Sequence, residues 1–307
     1  MKIKNDYIFD VLIVGGGPGG LSCALSVARG GRNLVLCDDH RPRNKNAEGI
    51  RNLPGHEGIN PTKYLELLKQ GLRCYDHVDF RDFKVTSIKK EIFFFVSTLE
   101  NSESIRSRKV VIAEGVEDIL PDIPGLKELW GKYVFHCPYC HGYENVGKDF
   151  GVLITNRKSI QMIRLLKGLT DSIILFMNDC SIFTEKELEE FRSRDMKVFA
   201  GKVNSLMTEE KKLVGVKLEN NEVVKCDTLF IQNEVKPRSR LGQQLGCTLL
   251  ENGVYEVDGD GQSNVEGVYF AGDVGTPHHS VIMASAVGSH VGICVNAHLL
   301  ENMFEHA

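Results

Sequence analysis

Tryptophan occurs once in these 307 residues, and neither sign of charge is in excess: 37 Lys and Arg against 41 Asp and Glu leave a net charge of −4. Without a basic run, the chain carries no electrostatic footprint for nucleic acid or an anionic membrane, so small molecules or other proteins are the expected partners. No apolar run reads as the eighteen or so residues a membrane span needs. The polar lead before Asp10 lacks the charged, apolar and small-residue regions of a secretory leader. These absences predict a cytoplasmic protein. Its nine cysteines are then expected to stay mostly reduced, and a bridge that forms is more readily catalytic than structural.

What is present begins with Asp10-Val11-Leu12-Ile13-Val14, a continuous apolar run suited to a strand buried on both faces, ending in Gly15-Gly16-Gly17-Pro18-Gly19-Gly20. A helix from Leu21 to about Arg29 and a strand at Leu34 to Cys37 complete a βαβ unit. Asn60 and Pro61 read as N-cap and first position of a helix through about Leu72. Val78 to Val111 is strand-rich, with Phe93-Phe94-Phe95-Val96 as its apolar centre. After a linker at Pro121-Asp122-Ile123-Pro124-Gly125 the α/β alternation resumes. Strands at Asp149 to Ile154, Ser172 to Met177 and Lys197 to Val203 enclose helices at Ile160 to Leu169 and Glu185 to Arg194. Leu213 to Leu218 and Val223 to Ile231 read as hairpin strands around Asn220-Asn221. The tail, with a strand at Val268 to Ala271, Gly272-Asp273 and a helix from about Val281 to Leu300, is expected to return to the first domain. The fold predicted is α/β, with two Rossmann-like domains and the second inserted into the first. Residues 1–119 and 237–307 form one domain and 120–236 the other.

Gly15, Gly17 and Gly20 give GxGxxG between a buried strand and a helix, the context that lets a backbone approach a diphosphate while the helix N-terminus stabilises its charge. Asp38, about twenty residues on, suits a ribose hydroxyl. Gly272-Asp273 favours FAD over NAD, because an aspartate at the end of a returning strand is where such flavoproteins hold the ribityl chain. In the central domain, aligning Phe150 to Ile154 with a nucleotide-binding strand puts Thr155, Arg157 and Ile160 where small residues are needed, and Asn178-Asp179 brings no arginine cluster for a 2′-phosphate. That domain is therefore expected to bind no nicotinamide in the ordinary way.

The chemistry centres on His136-Cys137-Pro138-Tyr139-Cys140-His141-Gly142. Covalent haem needs an exported chain, structural zinc needs a second ligand pair that the scattered cysteines do not supply, and two inert core cysteines are the bland alternative; no metal site is expected. Thiol–disulfide exchange is the reading adopted, because Pro138 suits the first turn of a helix and a helix N-terminus lowers a thiol pKa. His141 is the candidate base for a substrate thiol near pH 7. Glu144 reads as a cap, and His278-His279 as loop residues near one edge of the cofactor.

Together, the GGGPGG start, the CxxC after its linker and Phe270-Ala271-Gly272-Asp273 resemble the low-molecular-weight thioredoxin reductase family over nearly the whole chain. Cys137-Pro138-Tyr139-Cys140-His141-Gly142-Tyr143-Glu144 is similar to the CPxCHGxE signature of the branch holding the gliotoxin and holomycin dithiol oxidases. The resemblance implies a homodimeric FAD enzyme with Cys140 against the flavin and Cys137 exchanging with substrate, a small dithiol or a protein thiol, while oxygen accepts the electrons. Pro18, Gly19, Asn52, Ala113, Ser280 and Val281 complete the expected cofactor set with Gly15, Gly17, Gly20, Asp38, Gly272 and Asp273. The family's Ala-Thr-Gly motif reads Ala113-Glu114-Gly115 here. The alternatives are a disulfide reductase driven by ferredoxin or an atypically bound NADPH, and a non-catalytic flavin-binding regulatory protein.

Overall fold

A strand apolar on both faces requires neighbours on both sides and layers above and below, and Ile8–Val14 has them. In the computed structural model, which describes residues 7–178 and 182–305, the chain divides into two compact units. The first contains the chain up to Lys45, then Asn60–Glu117 and everything from Val235; the second contains Asn46–Ile59 and Asp118–Glu234. The excursion Asn46–Ile59 is not anticipated by the sequence boundaries.

In the first unit, parallel strands Val78–Arg81, Leu34–Cys37, Ile8–Val14 and Ser104–Ile112 run side by side, followed by antiparallel Phe95–Leu99 and Val85–Lys90. Val268–Phe270 also pairs in parallel with Ser104–Ile112, so the C-terminal segment does return to this sheet. Alternate residues separate the layers. Leu12, Val35, Val110 and Phe270 enter one core, while Val11, Ile13, Leu36 and Tyr269 enter the other with the helix Pro18–Arg29. Fully burying each such side chain stabilises the unit by roughly 1.5–3 kcal/mol.

The terminal helix, Val281–Glu305, lies against Pro18–Arg29 through glycine: a Cβ on Gly288 would come within 2.0 Å of the Gly19 carbonyl oxygen, and one on Gly292 within 2.6 Å of that of Cys23. By length and composition its portion Val281–Glu301 is apolar enough to cross a membrane, with a mean hydropathy of 1.3. The sequence reading passes over it because Ser285, Ser289, His290, Asn296 and His298 interrupt the apolar residues. Val291, Val295 and Leu299 on this helix belong to the buried core.

The second unit repeats the theme with parallel strands Lys197–Phe199, Ile173–Phe176, Phe150–Leu153, Thr228–Ile231 and Val134–Phe135 in that order, plus an antiparallel sheet of Val203–Glu209, Lys212–Leu218 and Val223–Lys225. Two expectations fail here. Val223 to Ile231 is not one hairpin strand: it breaks after Lys225, Asp227 accepts a hydrogen bond from the Asp149 N–H at 3.0 Å, and the chain changes sheets. Lys197 to Val203 likewise splits, its first part ending the parallel sheet and Val203 opening the antiparallel one. In the first unit, Phe93 stands 85% exposed in the turn before Phe95–Leu99, so the apolar centre placed there begins only at Phe95.

Candidate functional site

In the first unit the glycine loop is shaped by close backbone approach. Gly15 has φ 108°, and a Cβ there would lie 2.5 Å from the Ala113 oxygen; one on Gly20 would lie 1.9 Å from the Gly15 oxygen, and one on Gly19 2.8 Å from the Gly272 Cα. Gly17 alone faces open space, with nothing within 4 Å of a built Cβ. It is also the N-cap of Pro18–Arg29, whose N-terminus no side chain caps and whose first position is Pro18. An uncapped twelve-residue helix beginning beside open space is a cradle for a diphosphate, which fits the corresponding group of FAD.

Around the cradle, Asp38 accepts the Gly16 N–H at 3.1 Å and pairs with Lys69 at 3.0 Å and His40 at 3.2 Å. Burial alone would raise its carboxyl, but the Lys69 ammonium and the Gly16 N–H hold it below the ordinary carboxylate range. Asp273 lies in the turn Gly272–Gly275 and pairs with Arg43 at 3.2 Å; Arg43 also reaches His279 Nδ1 at 3.0 Å. Ser280 precedes the terminal helix, accepting the Met283 N–H through its hydroxyl and the Ala284 N–H through its carbonyl, so Val281 opens that helix. Glu114 is half-buried, and that burial raises its pKa although Ser239 donates to it through both backbone N–H and hydroxyl. The loop, Asp38, Ala113, Gly272, Asp273, Ser280 and Val281 thus share one unit. Asn52, with φ 57°, belongs to the excursion that groups with the other.

In the second unit, Cys137 and Cys140 are disulfide-bonded. Cys137 is the N-cap of the helix Pro138–His141, and its sulfur accepts the Cys140 N–H at 3.1 Å. This helix is a single turn, so the acidifying macrodipole expected from the sequence reduces to that local N–H. The contrast with the other thiols is chemical. Burial pushes Cys23, Cys37 and Cys226 up to about 12, which leaves them without thiolate at neutral pH.

His141 stacks on Phe135 with ring centroids 4.0 Å apart and planes 12° from parallel, and its Nδ1 is buried without a hydrogen-bond partner among the described residues. Burial, and then the Arg51 charge, lower its pKa to about 4. The imidazole is therefore neutral near pH 7 but a weaker base than the sequence suggests. Glu144 is not a cap; it pairs with Arg51 at 3.1 Å. Behind the disulfide, Asn145 donates to the His141 carbonyl at 2.7 Å and accepts from Thr228 at 3.1 Å and Lys148 at 2.7 Å, tying the CxxC turn to the parallel sheet.

The segment after Phe150–Leu153 is closed by its own side chains. Thr155 donates to the Gln232 carbonyl at 2.6 Å, Asn156 donates to the same oxygen at 3.1 Å and accepts the Lys158 N–H, and Arg157 spans to the Ile182 carbonyl and Glu187. The side-chain donors of Thr155, Asn156 and Arg157 are thereby engaged within the protein. Asn178 accepts the Val203 N–H at 2.9 Å, and Asp179 lies outside the described residues. Lys69, Arg43 and Arg51 are the functional residues sequence reasoning misses, since each meets a carboxylate at least 31 positions away and no local motif marks it.

A family model described as pyridine nucleotide-disulphide oxidoreductase matches residues 9–160 and 171–291. Thioredoxin reductase tcpT of Claviceps purpurea is 30% identical over 316 residues, covering 98% of this chain and 97% of that protein. Thioredoxin reductase sirT of Leptosphaeria maculans is 28% identical, with 94% of each covered. The crystal structure of HlmI superposes with a TM-score of 0.93 at 31% identity, covering 99% of this chain and 96% of that one. The chain belongs to the pyridine nucleotide-disulphide oxidoreductase family, in the thioredoxin reductase-like, FAD-binding branch.

Proposed function

We propose that this oxidoreductase is an FAD-dependent dithiol oxidase, converting a dithiol and oxygen into a disulfide and hydrogen peroxide. The observation that carries the reading is the pairing of a formed CxxC disulfide with a nucleotide loop shut by its own side chains in the same unit. A substrate thiolate attacks the Cys137 sulfur, the Cys137–Cys140 bond breaks, and Cys140 leaves as a thiolate. The second substrate thiol then displaces Cys137, and the Cys140 N–H at 3.1 Å is placed to hold the charge developing on that sulfur. His141 offers a neutral nitrogen to the departing thiol proton, and a thiolate beside it raises its basicity because an opposite charge favours the imidazolium. Bound FAD, held by the glycine loop, Asp38 and Asp273, supplies the two-electron acceptor that returns the dithiol to the disulfide.

The substrate is a small dithiol or a protein thiol, and the enzyme acts in the cytoplasm as a homodimer. Mostly unbridged cysteines support the location. The names of the relatives support a competing reading, a thioredoxin reductase-like disulfide reductase driven by a nicotinamide. Anaerobic reduction of the purified holoenzyme separates the two: dithiothreitol is expected to bleach the flavin absorbance and NADPH to leave it intact. Bleaching by NADPH within one turnover time reverses the assignment.

A further inference from the structure

His290, Cys294 and His298 recur every four residues along the terminal helix, which aligns them on one face. Asp260 meets that face from a tight turn in which the Asp258 carboxylate accepts the N–H groups of Asp260 at 2.9 Å and Gln262 at 2.8 Å. The side chains converge. Cys294 Sγ lies 3.5 Å from Asp260 Oδ1 and 3.7 Å from His290 Nε2, and one donor atom from each of the three residues falls within 4.8 Å of the others. A tetrahedral ion bonded at about 2.3 Å to sulfur and about 2.0 Å to nitrogen and oxygen separates neighbouring donors by about 3.5 Å. Two of the three pairs already stand near that spacing.

The surroundings are ordered in the way metal ligands require. His298 Nε2 lies 3.3 Å from the other Asp260 oxygen, and its Nδ1 lies 2.7 Å from the hydroxyl of the buried Tyr269. A carboxylate fixed by a histidine, itself fixed by a buried phenol, is a second layer that orients the ligand. The His290 nitrogen rests against the Gly259 carbonyl at 2.8 Å.

We propose that Asp260, His290 and Cys294 form a site for one zinc-class divalent cation, with His298 and Tyr269 positioning the carboxylate. A thiolate and an imidazole select against magnesium and calcium, which prefer all-oxygen sets, and one carboxylate with one thiolate neutralises a double positive charge. On binding, the Cys294 thiol proton is released to solvent, the His290 proton passes to Nδ1, and Nε2 exchanges the Gly259 carbonyl for the ion; water completes the shell. The site pins the terminal helix to the turn that precedes the strand Val268–Phe270, and it is independent of the proposed oxidase chemistry. The sequence reading finds no metal because its ligands are sought around CxxC, whereas this set joins a helix face to a loop thirty residues away.

The test is equilibrium dialysis of the holoenzyme, disulfide intact, against zinc(II), with bound metal counted and FAD content recorded. One equivalent is expected, together with a thiolate-to-metal charge-transfer band in the cobalt(II) difference spectrum. Cys294→Ser and His290→Ala are expected to weaken zinc at least about 100-fold and His298→Ala about 10- to 100-fold, each retaining FAD and dithiol oxidation. The stoichiometry is expected to remain one in a Cys137→Ser/Cys140→Ser double variant. Zinc retention equal in wild type and both Cys294→Ser and His290→Ala, or lost only when the CxxC cysteines are replaced, overturns the proposal.

Discussion

Two loops of the same architecture part company in their chemistry. Ile8–Val14 and Phe150–Leu153 are both parallel strands flanked by neighbours on each side, and each runs into a loop and a helix. In the first, Gly15, Gly19 and Gly20 bring backbone against backbone, and Gly17 leaves open space at the helix N-terminus. In the second, Thr155, Asn156 and Arg157 spend their donors on Gln232, Ile182 and Glu187. The lesson is that a Rossmann-like layout provides only a location; whether a nucleotide binds depends on whether the loop's polar groups remain unsatisfied by protein.

The comparison breaks most sharply at the cysteines. Cys137→Ser or Cys140→Ser is expected to abolish dithiol-dependent oxygen uptake, a loss of at least about 1,000-fold, while FAD content stays at wild-type level. Unchanged uptake in either variant would make the second unit a bystander. Next in size comes the first loop. Gly20→Val places a side chain on the Gly15 oxygen, 1.9 Å from where its Cβ would sit, and is expected to eliminate bound flavin as measured by absorbance after gel filtration.

The third effect is a pH dependence confined to the second unit. His141 titrates at about 4 in the folded protein and near 6.5 in the unfolded chain, so below 6.5 the unfolded state binds the extra proton. Stability is fully present above that value and falls as pH drops toward 4, by up to roughly 3 kcal/mol. Urea melts of wild type and His141→Phe across this range check it: the variant is expected to lose that part of the slope. The smallest effect belongs to the second loop. Arg157→Ala is expected to leave the flavin unreduced by NADPH, because Thr155 and Asn156 still close the segment; acquisition of NADPH-dependent bleaching would show that one side chain had been the whole barrier.

Much of this was legible because it was local. The βαβ start is written in contiguous residues, and Asn60-Pro61 announced a helix whose structure runs Pro61–Leu72 with Asn60 accepting the Thr62 and Lys63 N–H groups. The CxxC motif is equally contiguous, and the structure shows its two cysteines bonded. What escaped depends on partners distant in sequence. The lowered basicity of His141 needs Arg51, ninety positions earlier, and a burial that no pattern reveals. The break at Cys226-Asp227 is hidden because an apolar alternation continues through it while the hydrogen bonds switch sheets. Phe93-Phe94 misled for the opposite reason: hydrophobic residues in a turn carry the same letters as those in a core.

Asn145 gives the redox turn a property that a bare CxxC peptide lacks. Bonded at once to the His141 carbonyl and to Thr228 of the sheet, it ties the backbone just after Cys140 to the sheet by bonds that involve neither sulfur. In the proposed cycle, with FAD taking the two electrons, the sulfurs then meet at high effective molarity when they rejoin, with little chain entropy to lose. The pair works as a spring-free latch that resets without searching for its other half.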